Sequence, residues 1–143
     1  MGQGLRAYAL FWAIMALPMK LYLDDFLASG NPVLSAGESR ATYLMYFLLL
    51  CVAVPVVEEI LFRGFQYAGL RRGLNVVPAA LIGGLTFAAV HFPGGASQFA
   101  YLAATGVALS LVYEHTRSLW PGIVMHVLHN ALVFGILMAV LAV

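Results

Sequence analysis

The chain reads as long apolar runs broken by short polar segments. The runs cover Leu5–Leu23, Ala41 to about Leu70, Val76–Phe92, Gln98–Tyr113 and Leu119–Ala142. A helix needs about 20 apolar residues to cross roughly 30 Å of hydrocarbon. The pattern therefore predicts an all-α, polytopic membrane helix bundle of about five transmembrane segments around a polar intramembrane cavity. It is a single domain over 1–143, with its polar-interrupted core over 41–142. In the first run, Pro18 predicts a kink or an end, and Tyr8, Trp12 and Tyr22 suit the membrane interface. Asp24 to Arg40 forms the one polar linker, with a turn at Asn31-Pro32. Asp24 and Asp25 are expected there as solvated loop charges rather than metal or substrate contacts. The second run is too long for one simple span. About 30 helical residues reach roughly 45 Å, so it projects past the bilayer or breaks near Pro55. Pro93-Gly94-Gly95 predicts a chain reversal. Small residues four apart (Ala79 and Gly83, Gly84 and Ala88, Ala100, Ala104 and Ala108) predict close helix–helix approach.

Composition sharpens this picture. The chain is 63% hydrophobic and 9% charged, with a mean hydropathy of +0.94; soluble domains are about a quarter charged. The net charge of +1 gives no electrostatic case for a nucleic-acid partner, whereas the bilayer is a partner the composition demands. The single cysteine, Cys51, cannot form an internal disulfide and sits in an apolar run as a packing residue. Pro18 and Lys20 interrupt the first run and no clean small-residue cleavage site follows, so it reads as a retained helix rather than a signal peptide. Arg6, Arg71, Arg72 and Arg117 fall on one side of five spans, and Lys20 and Arg40 on the other. That bias predicts a cytoplasmic N-terminus.

The candidate chemistry lies where charge interrupts hydrocarbon. Val54 to Gly64 sets Glu58, Glu59 and Arg63 in an apolar run. A charge at the centre of a span costs on the order of 2.5–3.5 kcal/mol by insertion assays, so these three need partners, water or a function. Glu59 and Arg63 are four apart and can pair on one helix face. Glu58 lies about 100° around the helix, free to point elsewhere. His91, and His126 with Asn130 four residues on, are the other intramembrane polar groups. Counting about 1.5 Å per residue from the span ends near Leu70, Val76 and Leu119, Glu58 lies about 18 Å deep, His91 about 22 Å and His126 about 10 Å. Those depths are compatible with one shared cavity. A carboxylate in an apolar site is a strong base when ionised. Two imidazoles and an amide facing it can hold a water and stabilise an oxyanion. Hydrolysis of an amide by Glu-activated water fits this set. No Ser or Cys nucleophile with a base at hand is evident. His129 is expected to pack between helices, His115 to be solvated, Phe87 to pack, and Trp120 to anchor at the interface.

Three strings then carry a family resemblance. E-E-I-L-F-R-G at Glu58–Gly64 resembles the E-E-x-x-x-R motif of the CPBP intramembrane proteases, the CAAX-protease and bacteriocin-processing (Abi) family. F-A-A-V-H at Phe87–His91 resembles that family's F-x-x-x-H, and H-V-L-H-N at His126–Asn130 its H-x-x-x-N. All three stand in the family's order, and the resemblance covers about Tyr43 to Asn130. It implies an intramembrane glutamic endopeptidase acting on a membrane-embedded or membrane-tethered peptide. Glu58 would be the base and Glu59 and Arg63 would orient the site. His91 would polarise water and carbonyl, while His126 and Asn130 would stabilise the oxyanion. It implies no cofactor, and a location in a prokaryotic cytoplasmic membrane. Eukaryotic CAAX proteases have more helices, which directs the expectation toward a peptide other than a prenylated CAAX tail. Three alternatives stand beside this one. They are a zinc protease with Glu58, His91 and His126 as ligands, a non-catalytic membrane immunity or peptide-binding protein, and a proton or ion pathway.

Overall fold

The computed structural model describes residues 2–29, 39–91 and 95–141. It is a polytopic bundle of helices: α1 (Gly2–Ser29), α2 (Arg40–Leu70), α3 (Val76–Ala89), α4 (Ala96–Thr116) and α5 (Leu119–Leu141). Among the described residues three helices are long and apolar enough to cross a membrane, Arg40–Leu70, Ala96–Thr116 and Leu119–Ala139, while α3 is a shorter apolar helix.

Helix α1 corrects the predicted linker. It carries Pro18 inside it and runs on through Asp24 and Asp25 to Ser29. Two stitches extend it beyond its apolar run. Lys20 pairs with Asp24 one turn on, and Ser97 Oγ on α4 donates to Asp25. The turn at Asn31-Pro32 lies outside the described residues, as do Pro93 and Gly94 of the expected reversal.

Helix α2 does not break at Pro55. Ser39 caps its start by accepting from the Thr42 N–H. Inside, Leu48–Ala53 and Glu59–Tyr67 are π-helical, bonded i to i+5. Their effect is visible in burial. The buried residues of this helix are Cys51, Pro55, Glu59, Arg63 and Tyr67, one every four. In an unbroken α-helix a four-residue stripe would slip by about 40° per step. The wider turns cancel that slip and hold the whole stripe on one face, while Leu44, Leu48, Val52, Ile60 and Phe65 stay exposed. Proline fits for the same reason. The Val54 N–H bonds the Leu49 carbonyl, so in this register Pro55, which has no N–H, leaves the Leu50 carbonyl without a donor. Asn130 Nδ2 on α5 donates to it at 2.9 Å.

Two contacts set the packing. Helices α3 and α4 cross at Gly84 and Gly106, so close that a Cβ on Gly106 would lie 2.6 Å from the Gly84 Cα. The expected small residues Ala79, Gly83, Gly84, Ala88 and Ala108 are buried, but Ala100 faces outward. Helix α1 packs on α4 and α5 through Phe11, Met15, Met19, Leu109, Val112 and Met125. Helix α1 runs antiparallel to α4, with Asp25 on Ser97 and Tyr22 stacked on Tyr101. Helices α2 and α5 are also antiparallel, with Leu119 beside Gly64 and Phe134 beside Phe47.

Candidate active site

Helix α2 delivers its two adjacent carboxylates, Glu59 on the buried stripe and Glu58 beside it, to different neighbours. Glu59 is fully buried. Its Oε1 accepts from Arg63 Nη1 at 2.9 Å and from His126 Nδ1 at 3.0 Å. Its Oε2 lies where a Cβ on Gly122 would stand 2.9 Å away, and it has no hydrogen-bond partner among the described residues. Only a glycine at 122 lets α5 approach this carboxylate so closely. Arg63 is buried too; its Nη2 donates to the Gly106 carbonyl at 3.1 Å, and its cation lies 4.9 Å from the Phe87 ring centroid. The buried pair is thus braced by α4, by α5 and by an aromatic face on α3.

Glu58 turns the other way, onto a cavity of about 380 Å³. Its Oε1 lies 3.1 Å from His91 Nε2 and its Oε2 lies 3.6 Å from His126 Nε2. Hydrogen-bond chemistry fixes the tautomers. His91 Nδ1 is 2.7 Å from the Phe87 carbonyl, which can only accept, so Nδ1 carries a hydrogen. A bond from Nε2 to Glu58 then needs one proton, on the ring or on the carboxyl. His126 Nδ1 faces an oxygen already held by arginine, so it donates. Its Nε2 stays beside Glu58, beyond hydrogen-bond range.

All six residues singled out in the sequence meet in one region. Glu58, His91, His126 and Asn130 line the cavity, and Glu59 and Arg63 form the layer behind it. Asn130 has one amide hydrogen on Leu50. Phe87 packs against Arg63, His91 and His126. His129 is buried, its Nε2 bonded to the Tyr101 hydroxyl and its ring against Phe11. His115 and Trp120 are exposed. Sequence reasoning did not find Gln98, Tyr101 and Thr105 on the cavity wall, nor Gly122 and the Gly106 carbonyl behind the acids. No residue spacing marks them, because each acts through a partner on another helix. Among the described residues no group of three or more His, Cys, Asp or Glu is arranged to hold a metal ion.

The family model described as type II CAAX prenyl endopeptidase Rce1-like matches residues 40–132, from the start of α2 to just beyond Asn130. None of the curated proteins and none of the solved structures compared with the chain matches it.

Proposed function

The chain belongs to the Rce1-like family of type II CAAX prenyl endopeptidases, and from that premise we propose an intramembrane endopeptidase whose nucleophile is a water activated by Glu58. One observation carries the proposal. The Glu58 carboxylate lies on a cavity wall with an imidazole nitrogen beside each oxygen, at 3.1 and 3.6 Å. With the proton of the His91–Glu58 contact on the His91 ring, Glu58 is a carboxylate that takes a proton from the attacking water and returns it to the leaving amine. Glu59, held by Arg63, keeps His126 Nδ1 as a donor and so turns Nε2 to the cavity. There Nε2, when it carries a hydrogen, donates to the oxyanion. The second hydrogen of Asn130 Nδ2 is the other donor. Removing one such donor costs about 10²–10³ in rate.

The substrate is a peptide segment of a membrane-embedded or membrane-tethered protein, in a prokaryotic cytoplasmic membrane. Glu58→Gln, His91→Ala and His126→Ala are each expected to abolish cleavage of a membrane-tethered reporter while the protein still folds in the bilayer. Full activity in Glu58→Gln would remove Glu58 as the base. In this reading the chemistry uses no metal, so activity should survive a chelator. Loss to chelator with recovery on adding zinc would instead make Glu58, His91 and His126 zinc ligands.

A further inference from the structure

We propose that Tyr101 anchors the substrate. Its hydroxyl donates to a main-chain carbonyl of the bound peptide beside the scissile bond, and His129 is the positioning residue that leaves that hydrogen free. The proposal rests on the endopeptidase reading and adds a contact that none of the three motifs contains.

Register puts Tyr101 at the depth of the base. Helices α2 and α4 run parallel. Arg63 reaches the Gly106 carbonyl and, about two turns on, Arg71 reaches Glu114, 43 residues along the chain in both cases. The same offset pairs Glu58 with Tyr101. Both line the cavity, as do His126, His129 and Asn130. The Tyr101 ring is held firmly. It stacks on Tyr22 at 4.7 Å with the planes 10° apart, and only 6% of the residue is exposed. A side chain fixed in this way has little freedom left to lose when it binds a ligand.

The hydrogen-bond chemistry of His129 decides what the hydroxyl can do. His129 Nε2 bonds the Tyr101 hydroxyl. Either the phenol donates and Nδ1 carries the ring hydrogen, or Nε2 donates and Nδ1 is bare. His129 is 1% exposed, and its Nδ1 has no hydrogen-bond partner among the described residues. Its ring lies against Phe11 and Trp12, at 5.5 and 5.9 Å between centroids. Phenylalanine has no lone pair to offer and the indole N–H is a donor only. A hydrogen on Nδ1 would therefore be buried without an acceptor, which costs about 1–3 kcal/mol. Nε2 carries the hydrogen instead and donates to the Tyr101 oxygen. The phenolic hydrogen is left over, and among the described residues the hydroxyl has no second partner.

Position selects the acceptor. The oxyanion donors, His126 and Asn130, stand on α5, and Tyr101 stands on α4. An extended peptide repeats every two residues, so the carbonyl next to the scissile one points away from the α5 donors. A donor to that carbonyl holds the peptide alike in the ground state and the transition state. It acts on binding and not on the chemical step.

Binding of a dye-labelled, membrane-tethered reporter peptide in nanodiscs tests this in the Glu58→Gln protein, where the peptide stays uncut. Tyr101→Phe keeps the ring stack and removes only the hydroxyl. It is expected to weaken binding about three- to tenfold, the worth of one hydrogen bond. With Glu58 in place, KM should rise by the same factor while kcat is retained. Two further reporters replace the peptide group on one or the other side of the scissile bond by a trans-alkene. With one of them Tyr101→Phe should cause no further loss. His129→Leu lets the hydroxyl swing and is expected to weaken binding only to the reporters that keep that carbonyl; a loss persisting on every reporter would strike out its positioning role. Unchanged affinity in Tyr101→Phe would overturn the proposal, as would an equal loss on all three reporters or a fall in kcat at constant KM. Should Tyr101→Phe fail to fold because it orphans the His129 N–H, the Tyr101→Phe, His129→Leu double variant orphans no polar group and carries the same comparison. Binding needs no cleavage, so its failure is distinct from full activity in Glu58→Gln, which removes the base and leaves the anchor standing.

Discussion

The Glu59–Arg63 pair offers the sharpest test of how the site is held. Glu59 is 0% and Arg63 1% exposed, and they meet at 2.9 Å. Arg63→Met leaves a buried carboxylate beside His126 with no cation. Glu59→Gln leaves a buried guanidinium with no anion. Breaking a buried pair from either side costs about 3–5 kcal/mol, so independent effects would sum to about 6–10. The double variant strands neither charge. What it still loses is the bond to the Gly106 carbonyl, about 1 kcal/mol, and the ring contact with Phe87, about 1–2 kcal/mol when desolvated. It should therefore be destabilised by only about 2–3 kcal/mol, with a coupling of at least about 3 kcal/mol. Equilibrium unfolding in mixed micelles, followed by helical circular dichroism, measures all four corners of the cycle. Accumulation of the double variant where a single one fails to accumulate leads to the same conclusion. Additive losses, or single losses below about 1 kcal/mol, would refute the idea that the two charges hold each other in place.

Three further outcomes follow from the geometry. Gly122→Ala places a methyl against Glu59 Oε2 and must push the carboxylate off His126. Overpacking of about 1–3 kcal/mol should slow cleavage and lower the unfolding midpoint, and the Gly135→Ala control, whose Cβ meets open space, should do neither. Gly84→Ala would set its Cβ 2.6 Å from the Ala103 carbonyl; because backbone cannot yield as a side chain does, it should lower the unfolding midpoint more than Gly122→Ala. Asn130→Ala should cost about 1–3 kcal/mol by leaving the Leu50 carbonyl without a donor, and under half of that in a Pro55→Ala background, where residue 55 supplies the N–H; equal costs in both backgrounds would discount the proline.

Much of this site was legible because its logic is local to single helices. Glu59 and Arg63 share a face at four residues apart, Glu58 falls off that face, and the three depths could be compared because α2, α3 and α5 all have an end at the arginine-rich side. The rest depended on partners far along the chain. Helix α1 outruns its apolar stretch because Asp25 finds Ser97, 72 residues on. Helix α2 stays whole at Pro55 because Asn130, 80 residues from Leu50, supplies the missing donor. Gly106 and Gly122 carry no pattern of their own; each matters for what approaches it. The four-residue burial stripe was present in the sequence, but an α-helical period hides it.

The short third helix also has a consequence for the lipid around the protein. Val77, Leu81, Leu85 and Val90 on its flank are exposed, so acyl chains lie against a hydrophobic wall about 21 Å tall in a bilayer about 30 Å thick. The leaflets beside it must dimple or the helix must tilt, at a cost of fractions of a kcal/mol per ångström of mismatch. Bilayer thickness thereby becomes a control on the enzyme. Reconstitution into short-chain phosphatidylcholine should relieve the dimple, and long-chain lipid should press on the rim that His91 occupies.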